Sequence, residues 1–144
     1  MSRRTKRTRG TTPPDLTADS PCPCGLPAAY GECCGRYHRG EESPPTAELL
    51  MRSRYSAFAA HDAAYLLRTW HSSTRPRHLQ LDPGMQWTSL EIVDATEGSA
   101  FHTTGTVTFR ARYRHHGKRG ELHERSKFER QKGAWVYVDG TFIE

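Results

Sequence analysis

Apolar side chains in the first half of the chain recur with the spacing of an α-helix. Between residues 47 and 58, one helical face carries Ala47, Leu50, Met51, Tyr55 and Phe58. Thr46 stands directly before this segment, where a hydroxyl can cap a helix N-terminus. Asp62 can cap a second helix in the same way, and the stripe that follows it consists of Ala63, Leu66, Leu67 and Trp70. The pattern therefore predicts two consecutive helices, the second ending at Trp70 and His71.

The period of the hydrophobic pattern changes to two in the second half of the chain. In the segment TVTFRARYR, Val107, Phe109 and Ala111 alternate with threonines and arginines. Similar alternation marks QWTSLEIVD, ELHERSKFER (the weakest) and WVYVDGTFI. The turn-like segments HHGKRG and QKGA separate the last three strands, so we expect an antiparallel meander. Helices followed by a run of strands predict an α+β domain whose helices pack on one face of the sheet.

The N-terminal segment has no apolar periodicity, and its charge differs from that of the rest of the chain. The first ten residues include five basic side chains and no acid: Arg3, Arg4, Lys6, Arg7 and Arg9. The whole chain has 21 basic and 16 acidic residues, a net charge of +5, so the remainder is neutral. We therefore expect a disordered basic tail over residues 1–20, a cysteine module over residues 21–40 and the α+β domain over residues 41–144.

The tail and the lack of long apolar runs limit the partners and the location of the protein. Residues 3–9 predict a weak, salt-dependent contact with nucleic acid, although a basic end can also serve only as a solvated extension. No apolar run approaches the roughly 20 residues that a membrane helix needs. The basic start is followed by TTPPDLTADSP rather than by an apolar signal segment. The sequence therefore predicts a cytoplasmic protein without a membrane partner.

The four cysteines of the chain all lie in one short segment, CPCGLPAAYGECC, as Cys22, Cys24, Cys33 and Cys34. Zinc prefers four tetrahedral nitrogen or sulfur ligands and binds thiolates well. The loop between the two pairs is long enough to bring both onto one ion, and Gly25 permits a tight turn. Disulfides are the alternative, but a reducing compartment disfavours them, and a bond between adjacent cysteines is strained. The segment therefore predicts a zinc site.

His38 leaves the identity of the fourth ligand open. It follows Cys34 by four residues and could replace one thiolate. Four thiolates around Zn²⁺ would leave a charge of about −2, which Arg36 and Arg39 could offset. With four protein ligands in either case, the ion has no open coordination position. Such a site is structural rather than catalytic.

The spacing of these residues resembles the SEC-C zinc motif. The matching residues are CPCG and, further on, a tyrosine three positions before CCG, whereas LPAA between them differs from the serine, glycine and lysines usual in the motif. The resemblance implies a structural Zn²⁺ held by the four cysteines. The motif also occurs at the C-terminus of the SecA translocase, where it contacts a chaperone and the ribosome. The resemblance thus implies a contact with protein or with the ribosome through the cysteine module.

Four further segments resemble the uncharacterised YchJ-type family of bacterial proteins. They are TAELLMRSRYSAF, DAAYLLRTWH, HERSKFER and GAWVYVDGTF, and with the cysteines they span most of residues 22–143. The resemblance implies a cone, in which a curved antiparallel sheet wraps around helices as in cystatin-like and nuclear transport factor 2-like folds. The family has no established activity, so the resemblance implies a fold and a metal but no reaction.

Two charged residues interrupt the apolar faces of the predicted elements. Arg54 lies within the apolar stripe of the first helix, and Glu124 shares strand parity with Leu122, so we expect both to face the interior. A buried arginine needs an acid or several acceptors. We therefore predict an Arg54–Glu124 pair inside the cone, with Ser126 and Tyr55 close by. The pair could brace the helix against the sheet or form the polar end of a ligand pocket, or Arg54 could extend to solvent.

His71 is the remaining candidate for a pocket residue. At a helix C-terminus, an imidazolium is stabilised by the helix dipole, and this is the ordinary interpretation. The alternative is a general acid or base at the mouth of the pocket. The sequence contains no nucleophile elbow, phosphate-binding glycine loop or HExxH motif, so catalytic residues stay unassigned and enzymatic activity stays open.

Three functions follow from these observations, in this order. The first is a zinc-binding protein that makes non-catalytic contacts with protein or the ribosome through its cysteine module. The second is an enzyme or small-ligand binder that uses a pocket inside the cone, an inference from fold analogy. The third is RNA binding through the basic tail.

Overall fold

The computed structural model describes residues 16–143, in which an antiparallel sheet packs against helices. The strands are β1 (Met85–Glu97), β2 (Thr104–His115), β3 (Lys118–Gln131) and β4 (Ala134–Phe142). Each strand pairs with the next in chain order, so the sheet is a meander. The predicted α+β class is confirmed.

Tight turns join β2 to β3 and β3 to β4. His116 and Gly117 form the first with φ angles of 52° and 85°, and Lys132 and Gly133 form the second with 55° and 83°. Positive φ at both central positions matches the type I′ turn, whose twist suits paired strands. Register shifts in β1 and in the β3–β4 pair add the irregularities that bend a sheet.

Helices precede the sheet along the chain: α1 (Cys34–His38), α2 (Ala47–Ala59) and α3 (Ala63–Arg68). Thr46 Oγ1 accepts the amide hydrogen of Leu49 at 3.1 Å, and Asp62 Oδ1 accepts that of Tyr65 at 3.0 Å. Both predicted N-caps are therefore present. No helix in this part of the chain is long and apolar enough to cross a membrane.

The second predicted helix ends at Arg68 and does not reach His71, so that boundary was wrong. The chain beyond the helix pairs with the edge strand β4. Tyr137 donates its amide hydrogen to Thr69 O at 2.8 Å, and His71 donates its own to Tyr137 O at 2.8 Å. The backbone groups of Thr69 and His71 therefore hydrogen-bond to the free edge of β4 instead of continuing the helix.

The main core lies between α2 and the concave face of the sheet. Its buried members are Ala47, Leu50, Met51 and Tyr55 from α2, and Val107, Phe109, Ala111, Phe128 and Trp135 from the strands. Trp135 Nε1 donates to Pro45 O at 3.1 Å, which fixes the start of α2 to β4. The apolar face predicted for the first helix therefore meets the inward parity of the strands.

The cysteine module packs against α2 through a 3₁₀ turn at Tyr30–Glu32 and through α1. Residues 16–20, which the sequence pattern assigns to the tail, contribute to it. Ser20 O accepts the amide hydrogen of Tyr30 at 2.7 Å, and Ala18 O accepts that of Gly31 at 2.9 Å. The basic residues 3–9 lie outside the described residues.

Candidate functional site

The four cysteines form one buried cluster, in which none is more than 6% exposed. Their Sγ atoms all lie within 4.8 Å of one another, and those of Cys24 and Cys33 are 3.7 Å apart. All four thiols are free rather than joined in disulfides. In a tetrahedral site with Zn–S bonds of about 2.3 Å, the sulfur atoms lie about 3.8 Å apart. The cluster therefore fits a metal ion bound by four thiolates.

The local backbone explains how the first cysteine pair reaches the cluster. Gly25 donates its amide hydrogen to Cys22 O at 3.2 Å, and Cys22 donates its own to Ala28 O at 3.1 Å. Gly25 has a φ of 91°, which a residue with a side chain rarely adopts. The resulting turn directs Cys22 and Cys24 to the same side as the second pair.

Hydrogen bonds among the sulfur atoms separate the pKa values of the thiols. Hydrogen bonds from Cys24 and then Cys34 stabilise a thiolate on Cys22 and lower its pKa. The hydrogen bond to Cys22 raises the pKa of Cys24 to about 12, and hydrogen bonds to Cys22 and Cys24 raise that of Cys34. The cluster thus holds one thiolate readily and further ones reluctantly. A bound cation would supply the charge that further thiolates need.

Arginines surround the cluster but bind the backbone rather than sulfur. Arg36 Nε donates to Cys33 O at 3.1 Å, and Arg39 Nη2 donates to Gly31 O at 2.9 Å. Arg52, which the sequence did not single out, donates from Nη1 to Cys24 O at 2.8 Å. These three cations hold the ligand-bearing loops in place and add positive charge around the thiols.

His38, the alternative fourth ligand, does not join the group of ligand atoms, which the four cysteines form without it. Its Nε2 donates to Ser53 O at 2.9 Å, and its Nδ1 lies 2.6 Å from the hydroxyl of Tyr30. Both ring nitrogens therefore already have partners within the protein. Burial lowers the pKa of His38, which favours the neutral ring. The side chain connects the cysteine module to α2.

A cavity of about 220 Å³ lies between α2 and the concave face of the sheet. Its apolar lining consists of Met51, Tyr55, Phe58, Trp70, Trp87, Phe109, Ala111, Leu122 and Tyr137. Its polar lining consists of Arg54, Glu124 and Ser126. The structure thus brings together four of the five predicted pocket residues, and His71 is the exception.

Arg54 is the most unusual side chain of the cavity, because it is a cation with only 4% of its surface exposed. Its Nη1 donates to Leu66 O at 2.8 Å, to Thr69 O at 3.2 Å and to Thr69 Oγ1 at 2.8 Å. The guanidinium carbon lies 5.1 Å from the ring centre of Trp70 and 4.7 Å from that of Tyr137. Burial lowers the pKa of Arg54 to about 10, so the side chain stays charged at neutral pH. Its Nε and Nη2 have no hydrogen-bond partner among residues 16–143.

The predicted ion pair between Arg54 and Glu124 is not formed among the described residues, although both line the cavity. Glu124 Oε2 accepts a hydrogen bond from Ser126 Oγ at 2.8 Å, and its carboxyl group packs over Gly140, where a Cβ would not fit. The end of α3 offers Arg54 carbonyl groups that lack helical partners. These carbonyl groups accept hydrogen bonds from Arg54 in place of the Glu124 carboxylate that was predicted.

The tyrosines of the cavity are held in their neutral form. Burial raises the pKa of Tyr137 to about 12, and burial also raises that of Tyr55. The Tyr55 ring meets Trp87 edge to face, with centroids 6.2 Å apart, and Phe58 lies 6.0 Å from the same indole. The walls of the cavity are therefore aromatic and largely uncharged.

His71 lies outside this lining, on the segment that pairs with β4. Its Nδ1 accepts the amide hydrogen of Ser73 at 3.0 Å, and its Nε2 lies 3.6 Å from Glu129 Oε1. The helix ends at Arg68, so His71 lies three residues beyond its last residue. His71 is therefore not among the residues that line the cavity.

Sequence reasoning missed two of the aromatic walls, Trp87 and Tyr137. Tyr137 shares strand parity with the buried Trp135, and this signal could have found it. A register shift follows Trp87, so parity along β1 does not extend across it. Trp70, which was predicted on the apolar stripe of the second helix, lies beyond the end of that helix and lines the cavity.

A second group of potential metal ligands consists of Asp82, His115 and His116 at the turn end of the sheet. His115 Nε2 lies 2.7 Å from Asp82 Oδ2, so these two side chains form an ion pair whenever the ring is protonated. The group is largely exposed, in contrast to the buried cysteines. We therefore interpret this group as a surface ion pair.

Known proteins share both parts of this structure. A family model described as the YchJ middle NTF2-like domain matches residues 46–140. A UPF0225 protein of Streptomyces coelicolor is 65% identical over 124 residues, which cover 86% of this chain and 97% of that protein.

Two solved structures of proteins that contain a SEC-C motif are also similar. The solution structure from Rhodopseudomonas palustris has 30% sequence identity and a TM-score of 0.74, and covers 85% of this chain and 98% of its own. The crystal structure from Psychrobacter arcticus has 27% identity and a TM-score of 0.70, and covers 88% of this chain and 85% of its own. The chain therefore belongs to the UPF0225 family and carries the NTF2-like domain of YchJ.

Proposed function

We propose that this protein binds a small molecule inside its cone, and that a structural Zn²⁺ in the cysteine module stabilises the helix that forms one wall of the site. The observation that carries the proposal is the buried cation of Arg54 beside a cavity of about 220 Å³. Two of its three guanidinium nitrogens lack partners among the described residues. These two nitrogens are not among the fully buried atoms that lack a partner, and Arg54 lines the cavity, so they are available to an acceptor on a ligand.

The rest of the cavity supports the same function. Ligand sites are concave and mostly apolar, with a small number of polar groups that fix orientation. Here the polar groups are Arg54, Glu124 and Ser126, and the remaining lining is aromatic or aliphatic. A core packed solid would leave no such space. No reaction is proposed, because His71, the acid or base suggested by the sequence, lies outside the lining.

Zinc is the metal that the cysteine cluster favours, because the donor set consists of four soft thiolates and no oxygen. With four protein ligands the ion would supply folding free energy rather than chemistry. The cysteine module contacts α2 through His38 and Arg52, and α2 also carries Arg54. The metal would thus stabilise the wall of the cavity. A thiolate site also requires reduced cysteines, which supports the predicted cytoplasmic location.

A contact with protein or the ribosome through residues 21–40, and a weak contact with nucleic acid through residues 3–9, stay predictions. Arg36 and Arg39 of the cysteine module pair with Glu42 and Glu41, at 3.3 Å and 2.7 Å. Their charge is therefore already balanced within the protein. Ligand binding is our first proposal because Arg54 and Glu124, the charged groups of the cavity, still have hydrogen-bonding atoms without partners among residues 16–143.

Native mass spectrometry of the full chain, purified without denaturation, tests both parts of the proposal. We expect one Zn²⁺ per chain and a small molecule that is released on unfolding. Ala111→Leu should fill the cavity and remove the small molecule while keeping the zinc, because Ala111 is buried in the lining. Arg112→Leu, on the opposite face of the same strand, is the matched control and should keep both.

The ligand proposal fails if native protein carries no small molecule and a fragment library leaves its melting temperature unchanged. The metal proposal fails if metal analysis of the same samples finds no stoichiometric zinc. The two results are independent, because Ala111 and the cysteines belong to separate buried clusters.

A further inference from the structure

The polar end of the cavity combines both signs of charge with unused hydrogen-bonding groups. We propose that the cavity takes an uncharged ligand of about one ring, whose polar group both accepts and donates hydrogen bonds, as an aromatic carboxamide does. This inference rests on the proposed function and narrows its ligand class. It follows from the size of the cavity, its walls, its balance of charge and its unpartnered atoms.

The volume limits the ligand to about one ring. A cavity of about 150 Å³ holds benzene, and sites for drug-sized ligands begin at about 300 Å³. The cavity of about 220 Å³ lies between these limits, so it has room for a benzene-sized ring and one small substituent.

The walls favour a flat ring. Trp87 lies edge to face with Tyr55 and close to Phe58, and the Trp70 and Tyr137 rings lie edge to face with centroids 5.2 Å apart. Aromatic side chains favour offset-stacked and edge-to-face partners. An aromatic ligand can meet these walls in either arrangement, whereas a branched aliphatic one cannot.

The balance of charge favours a neutral ligand. The formal charges of Arg54 and Glu124 cancel, and both line the same cavity. A carboxylate on the ligand would gain a partner in Arg54 but would lie close to the like charge of Glu124. An ammonium group would gain a partner in Glu124 but would lie close to the like charge of Arg54. A charged group would also lose part of its hydration against the apolar walls.

The cavity atoms that lack hydrogen-bond partners require a ligand group that both accepts and donates hydrogen bonds. Arg54 donates its hydrogen bonds from Nη1 alone, and its Nε and Nη2 have no partner among the described residues. These two nitrogens are not among the fully buried polar atoms that lack a partner, and Arg54 lines the cavity, so they supply donors that need an acceptor. Glu124 uses Oε2 for Ser126, and its Oε1 has no donor within residues 16–143. The ligand should therefore offer a carbonyl to Arg54 and an N–H or O–H to Glu124.

Five probes of similar size separate the alternatives: benzamide, benzoate, benzylamine, ethylbenzene and phenylglycine. They present a neutral donor and acceptor, an anion, a cation, no polar group, and both charges together. Titration of the ¹⁵N-labelled holoprotein, followed by the indole N–H signals, reports binding directly, since Trp70 and Trp87 line the cavity. Trp135 is the internal control, because its Nε1 is bonded to Pro45 O outside the cavity.

Benzamide should shift the Trp70 and Trp87 signals, leave Trp135 unchanged and bind about tenfold more tightly than any of the other four probes. Glu124→Gln gives the pocket a net positive charge, so the preference should move toward benzoate by about tenfold. Ser126→Ala, which keeps the charge, should not move that preference.

Tighter binding of benzoate, benzylamine or phenylglycine than of benzamide by the unchanged protein would overturn the inference and leave ligand binding intact. Equal binding of all five probes would also overturn it, since the polar groups would then play no part. If no probe moves Trp70 or Trp87 at millimolar concentration, the one-ring class is excluded. Native mass spectrometry then decides separately whether the protein carries any small molecule.

Discussion

The cysteine cluster and the cone cavity differ in whether their polar groups have partners. In the cluster, the thiols contact one another, and the surrounding arginines bind backbone carbonyl groups. In the cavity, Arg54 and Glu124 each keep at least one hydrogen-bonding atom without a partner among residues 16–143. A closed set of partners stabilises a fold, whereas an open set in a formed cavity is available to a ligand. This difference supports our proposal that the first region serves stability and the second serves recognition.

The largest effect is expected when the cluster loses one ligand. Cys24 is completely buried, and Cys24→Ser replaces a thiolate with a hydroxyl that binds zinc poorly. We expect the loss of stoichiometric metal and a fall of about 4 kcal/mol or more in the free energy of unfolding. Metal analysis and urea denaturation measure the two effects.

His38→Gln is the matched control for that change. His38 lies beside the cluster but uses both ring nitrogens for Ser53 and Tyr30. We expect this variant to keep the metal while losing about 1–2 kcal/mol of stability. Loss of metal from His38→Gln, or its retention by Cys24→Ser, would contradict the assignment of the four cysteines.

A smaller effect on stability and a larger one on binding are expected in the cavity. Arg54→Met removes the donor for Leu66 O and Thr69 O but also removes a costly buried charge. These terms oppose each other, so we expect a loss of about 2 kcal/mol in the free energy of unfolding. Binding of a carboxamide probe should be lost, and the indole signals of Trp70 and Trp87 should no longer respond.

Arg54→Lys sharpens this comparison, because it keeps the charge but lacks the planar fork that reaches several acceptors. We expect it to restore little of the binding. Arg112→Met is the control, since Arg112 is an exposed residue paired with Glu91 and Glu121, and its loss should cost at most about 0.5 kcal/mol. Full binding by Arg54→Met would contradict the role of the cation.

The two regions also differ in how far the sequence predicts them. The cysteine ligands lie close together along the chain, so their spacing alone indicates a shared site. The helix caps at Thr46 and Asp62 and the period of the strands follow from local chemistry in the same way. The sequence could not exclude His38, because its partner Ser53 O is a backbone atom brought near by the packing of α2.

The cavity depends on contacts between distant segments. Parity and the helical wheel place Arg54 and Glu124 inside the cone, but they do not show which acceptor each one reaches. That choice depends on where α3 ends, and the end is set by the pairing of Thr69 with the edge of β4. Such pairing between segments far apart in the chain has no local signal, so the predicted ion pair was wrong.

The smallest expected effect is on stability at alkaline pH, where one tyrosine in each region has a raised pKa. Burial raises the pKa of Tyr30 in the cysteine module and of Tyr137 in the cavity to about 12, from an ordinary value of about 10. The folded state thus keeps protons that the unfolded state loses, so this stability is complete below pH ~10 and is lost as the pH rises through ~12. Both rings are partly exposed, so Tyr137→Phe should reduce the alkaline loss by only about 1 kcal/mol.

Denaturation at several alkaline pH values, together with the ultraviolet absorbance of phenolate, measures this loss. Tyr30→Phe is the matched control, since Tyr30 has a similarly raised pKa and does not line the cavity. A bound carboxamide should delay the ionisation of Tyr137 and leave that of Tyr30 unchanged, because only Tyr137 lines the cavity. Equal shifts of both tyrosines would mean that the ligand stabilises the whole fold rather than occupying the cone, and the distinction between the two regions would then fail.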